Sequence, residues 1–269
     1  MTTRRSPDRP PGVVTVNDLA DHTTLTRNLS TPEVALAVGA HPDDIEFGAG
    51  ATLAKWAAAG CQIHHLVLTD GAKGTWDPER DPASLVAARQ DEQREAARRL
   101  GGGEVAFLGF PDGELRNGVR EQWEVCRWIR VVRPDVVLGH DPWRRYRLHP
   151  DHRNAGFILT DAIVAARDPL FFGDQDLACH RPSELLLWEA DEANHVEAVD
   201  GFAGEKVSAL LAHRSQYRST MGLEPAGDGS EPTGPAVDAF KDRIVRQLGD
   251  HGRLGGFEQG EVFHRISEL

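Results

Sequence analysis

Short, continuous apolar runs alternate along this chain with longer stretches in which apolar residues recur every three or four positions. Residues 34–40 (VALAVGA), 63–68, 105–108, 136–138 and 184–188 are the apolar runs, as expected of strands covered on both faces. Residues 48–59, with Leu53, Trp56 and Ala57 at helical spacing, predict a helix, as do 83–100, 119–132, 152–166 and 202–213. Gly101-Gly102-Gly103 closes the second of these, and the third stops before Pro134. Strands alternating with helices of this length predict βαβ units, hence an α/β fold with a doubly wound, mainly parallel sheet flanked by helices. A Pro/Gly-rich loop at 222–235 and a final helix form a C-terminal extension. Such a loop is either a connection or a lid over an active site.

Length and composition narrow the picture. A chain of 269 residues, 40% hydrophobic, closes one large core, and no linker divides it. The reading is a polar leader over 1–30, rich in Pro and Arg, followed by a single domain over 31–269. The net charge of -12 argues against nucleic acid or an anionic membrane as the main partner. The leader has no apolar stretch of the secretory kind, and no run approaches the ~20 residues of a membrane span. The expectation is a cytoplasmic protein, with a homo-oligomer open. Cys61, Cys126 and Cys179 are isolated, which favours core filling over disulfides or a thiolate site.

Ligands of open α/β sheets bind beyond the carboxyl ends of the strands, so the residues after each apolar run carry the chemistry. After 34–40 comes His41-Pro42-Asp43-Asp44. After 136–138 come Gly139-His140-Asp141 and then His149-Pro150-Asp151-His152. One His-Pro-Asp is most simply a turn with an aspartate cap, and Asp43 could serve only as such a cap. Two such segments, about a hundred residues apart and aimed at one sheet edge, point instead to a metal. His41, Asp44 and His152 offer two imidazoles and a carboxylate, and catalytic zinc sites use three protein ligands with a fourth position for water. Asp43 could accept a proton, His149 could reach the same site, and Asp151 could hydrogen-bond His149 and favour its charged form.

These residues resemble the LmbE/PIG-L family of N-acetylglucosaminyl deacetylases. The resemblance rests on Ala40-His41-Pro42-Asp43-Asp44-Ile45-Glu46-Phe47-Gly48 and His149-Pro150-Asp151-His152. It extends to Thr69-Asp70-Gly71, Lys73-Gly74, Arg89-Gln90-Asp91-Glu92, Gly109-Phe110-Pro111-Asp112-Gly113 and His213-Arg214-Ser215-Gln216. It implies a Rossmann-like sheet and zinc on His41, Asp44 and His152, with Fe2+ an alternative occupant. It further implies Asp43 as general base and His149 as the cation that stabilises the oxyanion. Arg89 and Asp112 would hold the sugar; plainer roles are an ion pair for Arg89 and turn chemistry for Asp112. Ile45-Glu46 and Arg147 depart from the mycothiol-pathway pattern and place Tyr146 one step from the tyrosine that would touch substrate. The expected activity is hydrolytic removal of acetate from an N-acetylglucosaminyl group of a small conjugate, such as a glycopeptide antibiotic precursor. Alternatives are a deacetylase of a mycothiol- or bacillithiol-type pathway and a catalytically silent, metal-containing sugar-binding protein. A dinucleotide enzyme is disfavoured because Leu53 stands where a third glycine is needed. A non-haem iron oxygenase shares the donor set but not the βαβ rhythm.

Overall fold

The apolar runs become the interior of one sheet. A computed structural model of the chain describes residues 25–226 and 230–269. In chain order the elements are β1 (Thr26–Arg27), β2 (Val34–Gly39), α1 (Asp44–Ala58), β3 (Gln62–Thr69), α2 (Pro82–Arg99), β4 (Glu104–Phe110) and α3 (Val119–Val132). There follow β5 (Val136–His140), α4 (Pro150–Arg167), β6 (Glu184–Trp188), β7 (His195–Ala198), α5 (Ala203–Ala212), α6 (Pro235–Gly255) and β8 (Gly260–Ser267). The eight strands lie in the order β1-β7-β8-β6-β5-β2-β3-β4. All neighbours are parallel except those of β8, which runs antiparallel to both β6 and β7.

Alternate side chains of each strand serve opposite faces. Leu36 and Val38 pack with Val125 and Ile129 of α3 and Ile158 and Leu159 of α4. Ala35 and Ala37 pack on the other face with Leu53 and Trp56 of α1 and Ala209 of α5. From β2 the chain winds outward through β3 and β4, then returns to β5 on the other side of β2. The crevice beyond β2 and β5 is therefore the switch point of the sheet, where open α/β folds bind ligands.

Helix α1 begins at Asp44, four residues before the stretch that periodicity marked, because its first turn carries a buried acid, Glu46. It is kinked at Ala49 (φ -143°, ψ 16°). The second half is capped from β8: Glu261 accepts from Ala51 N at 3.2 Å and Thr52 N at 2.7 Å, and pairs with Lys206 at 2.6 Å. Gly48 is needed at the bend, since a Cβ there would come within 2.4 Å of the Trp188 ring.

Three strands were not anticipated. Thr26–Arg27 joins the edge of the sheet inside the segment read as a leader, while 1–24 lie outside the described residues. Two polar residues give no hydropathy signal. Strands β7 and β8 are hidden for a different reason: their buried positions hold paired polar groups, His195 with Glu197 and Glu261 with Lys206. Of the 222–235 loop, Pro225 reaches a cavity described below, and 227–229 lie outside the described residues. No helix among the described residues is long and apolar enough to cross a membrane, and the three cysteines are free.

Candidate metal centre and active-site cleft

Asp44 is the hub of the crevice. It opens α1 directly after β2, and its Oδ2 accepts from the backbone N of His41 at 2.7 Å. Three imidazoles then surround its carboxylate: Oδ2 lies 3.3 Å from His41 Nδ1 and 3.1 Å from His140 Nε2, and Oδ1 lies 3.3 Å from His152 Nε2. His140 ends β5, and His152 stands in the first turn of α4, which Pro150 starts. Burial alone would raise the Asp44 carboxyl, but His152, His140 and His41 hold it well below the usual range.

His41 is oriented by carboxylates on its far side. Its Nε2 lies 3.1 Å from Asp112 Oδ1 and 3.2 Å from Asp151 Oδ2. Both acids accept Nε2–H and leave Nδ1 toward Asp44, the second-tier arrangement that metal-binding histidines commonly show. Burial opposes charge on His41, but Asp112, Asp151 and Asp44 together raise its pKa well above the ordinary value. Asp112 in turn is lowered to about 2, burial being outweighed by His41.

Two sequence expectations change here. The Asp151 carboxylate does not bond His149. It is fully buried and accepts from Gly113 N at 2.6 Å and Leu115 N at 3.2 Å, because the first turn of α4 directs it into the core behind His41. The contact with His149 is reversed in sense: Asp151 N–H meets His149 Nδ1 at 3.3 Å, so His149 caps the helix. Burial and the neighbouring His41 lower the pKa of His149, outweighing Asp151. Tyr146, expected at the substrate, sits at φ 59° with 94% of its surface exposed. It is not among the residues lining the cleft. The adjacent Arg147 turns inward instead, donating to His152 Nδ1 at 2.7 Å and pairing with Glu189 at 2.5 Å.

Asp43 has the left-handed backbone conformation (φ 100°) that non-glycine residues rarely adopt, and its side chain makes no cap bond. The carboxyl faces the cleft, with Arg89 NH2 3.8 Å away. Burial pushes its pKa up to about 6 against the pull of Arg89, with Asp44 pushing the same way as burial. Arg89 is itself buried and donates to Gly71 O at 2.9 Å and Pro42 O at 2.6 Å. Asp112 likewise lines the cleft while facing His41.

The cleft holds about 710 Å3 and is lined by His41, Asp43, Asp44, His149 and His152, with Trp76 on its wall. Trp76 is 78% exposed and also lines an adjoining cavity of about 440 Å3 that contains Arg80, Arg214, Arg218 and Pro225. Donor atoms of His41, Asp44 and His152 lie within 4.8 Å of one another. Two imidazoles and a carboxylate, mostly buried and open on one side to a cleft, fit a catalytic zinc ion. His140 adds a buried Nε2 that lies 3.1 Å from Asp44 Oδ2. Trp188 Nε1–H donates to its Nδ1 at 3.0 Å. An indole only donates, so in the neutral ring Nε2 carries the hydrogen and points it at Asp44. Glu189 was missed from sequence, although it directly follows β6 and the rule of reading each strand end would have found it.

The chain matches the family model described as GlcNAc-PI de-N-acetylase (PIG-L) over residues 36–163. It is 33% identical over 185 residues to the diacetylchitobiose deacetylase of Thermococcus kodakarensis, spanning 68% of this chain and 69% of that protein. It is also 33% identical over 162 residues to a 1D-myo-inositol 2-acetamido-2-deoxy-alpha-D-glucopyranoside deacetylase of Streptomyces avermitilis, spanning 51% of this chain and 54% of that one. Among solved structures, the N,N'-diacetylchitobiose deacetylase of Pyrococcus horikoshii superposes with a TM-score of 0.77 at 26% identity, over 88% of this chain and 84% of the other.

Proposed function

Because the chain belongs to the PIG-L/LmbE family of de-N-acetylases, we propose that it is a metal-dependent N-deacetylase acting on an N-acetylglucosaminyl group of a small conjugate. The observation that carries this reading is the convergence of His41, Asp44 and His152 beside a free-facing Asp43 in one cleft. His41, Asp44 and His152 would hold the ion. The donor set suits zinc and would also accept Fe2+. When bound, the ion supplies a Lewis acid that polarises the acetamide carbonyl and acidifies the attacking water.

The protein's own groups do the rest. Asp43 takes a proton from the water as its oxygen bonds to the carbonyl carbon. His149, on the lip of the same cleft, stabilises the oxyanion of the tetrahedral intermediate. The C–N bond then breaks, the amine receives the proton held by Asp43, and acetate leaves. A merely sugar-binding protein would have no use for a strained, buried carboxylic acid beside the ligand set.

The relatives at 33% identity are named for two-ring sugars, which favours a small saccharide or pseudo-disaccharide over the larger glycopeptide precursor that the sequence suggested. The test is acetate release from N,N'-diacetylchitobiose, an N-acetylglucosaminyl-inositol and an N-acetylglucosaminyl glycopeptide, with metal-loaded and chelator-stripped protein in parallel. Metal-dependent release from any of them supports the reading, and the best substrate names the conjugate. No release from any of them, with metal bound, would sink it.

A further inference from the structure

The peptide unit joining Pro42 to Asp43 is gripped at both ends by one helix. Arg89 NH2 donates to its carbonyl oxygen at 2.6 Å, and Gln93 Oε1 accepts its N–H at 3.0 Å. Arg89 and Gln93 are one turn apart on α2, so they present to the same side. The orientation of that peptide plane sets φ of Asp43, the residue held at 100°.

The grip depends on which way the Gln93 amide faces, and a second tier decides it. Gln93 Nε2 donates to Glu46 Oε1 at 2.7 Å, and Glu46 Oε2 lies 3.2 Å from His213 Nε2. An ionised carboxylate only accepts, so Glu46 claims the NH2 end of the amide and leaves the oxygen for Asp43. Glu46, Gln93 and His213 are all 0% exposed, and none lines the cleft. An acid, an amide and an imidazole buried together cost more than an apolar core of equal volume. The neighbouring contacts lock the same assembly: Ser215 N and Oγ donate to Glu92 at 2.8 and 2.6 Å, and Gln216 Nε2 donates to Gly74 O at 2.9 Å. The sequence pattern at 213–216, to which the deacetylation chemistry gives no role, thus ends on the peptide that aims Asp43.

We propose that Gln93, oriented by the Glu46–His213 pair, is a positioning residue that aims the Asp43 carboxyl at the reacting water. It acts through Asp43 and touches neither substrate nor ligand set. This rests on the deacetylase reading and on Asp43 as its base.

The test measures kcat and KM for acetate release by the metal-loaded full chain from whichever of N,N'-diacetylchitobiose, the N-acetylglucosaminyl-inositol and the N-acetylglucosaminyl glycopeptide it turns over best, together with bound metal per chain. Gln93→Leu and His213→Leu should each lower kcat by about 10²-fold with KM changed less than ~3-fold, the effect of a small misplacement of a reacting group. Metal content should stay as in the wild type. His213→Gln, which keeps a donor near the position of Nε2, should restore most of the rate. In an Asp43→Asn background the same substitutions should cost nothing further, because groups acting as one unit are not additive. Equal losses in both backgrounds, or a KM rise matching the kcat loss, would make the cluster merely structural and overturn the proposal. If His213→Leu does not fold, Gln93→Asn, which withdraws the oxygen by one methylene, replaces it in the same double-mutant cycle. A kcat loss confined to the Asp43 background then supports the positioning role, and an equal loss in both backgrounds overturns it. A wild-type chain that releases no acetate would instead overturn the underlying activity, so the two failures are distinguishable.

Discussion

His152 meets a donor where a metal ligand needs an acceptor. Arg147 donates to its Nδ1 at 2.7 Å, so the neutral ring carries its hydrogen on Nε2, the atom facing Asp44. Burial, opposed by Asp44, lowers the pKa of His152 to about 4 and keeps the ring neutral. A ligating Nε2 would shift that hydrogen to Nδ1, and the guanidinium would have to give way, with Glu189 at hand to hold it. Arg147→Gln, which removes the charge, should therefore tighten metal binding by about 10-fold, the lower end of second-tier effects; competition with a chromophoric chelator would read it. Unchanged or weaker binding would mean that Arg147 orients His152 for the ion rather than against it. Asp43 calls for a different probe. Alanine is strained at φ 100°, whereas asparagine tolerates the left-handed region. Asp43→Asn should keep the metal and lose ~10²–10⁴ of the rate, while His152→Ala should lose the metal. Metal analysis and acetate release on the same samples separate the two outcomes.

At the scale of elements, the strands that hydropathy reveals and those it hides differ in what their buried positions hold. β2 reads as VALAVG because both faces are apolar. β8 reads as GEVFHRIS because one of its buried positions is Glu261, matched by Lys206 from α5 and by two N–H groups of α1. Such pairing forms through space, and no sequence spacing encodes it. The same division runs through the site. His41, Asp44 and His152 were legible because they directly follow strands or open helices. Arg147, and the true partner of Asp151, were not, because their roles follow from how the 141–149 loop and the first turn of α4 pack. Glu261→Ala would strand the Lys206 ammonium, which is 3% exposed, and uncap the second half of α1. A loss of ~3–5 kcal/mol is expected, visible as a lower midpoint in urea denaturation. A loss under ~1 kcal/mol, the worth of an exposed pair, would show that the kink holds without its cap.

For the whole molecule, the acidic groups gathered at the carboxyl edge of the sheet set its tolerance of pH. Glu189 is held down to about 2, burial being outweighed by His140 and Arg147, and Asp112 is held near the same value by His41. Glu197, buried beside His195 and Lys55, is also lowered. These carboxyls are depressed on folding, so their contribution is complete above the unfolded value of about pH 4 and fades as pH falls toward 2. The metal-free protein should melt at progressively lower temperature between about pH 4 and pH 2, and a flat profile there would contradict these assignments. The placing of β8 has a further consequence, in time rather than space. Of the described strands it leaves the ribosome last, yet it sits between β6 and β7, and β1 reaches the sheet only through β7. A nascent chain halted before Gly260 can assemble β2 to β6, but β6 is left as an open edge for other chains to pair with, and β1 and β7 have nowhere to dock until translation supplies the final strand.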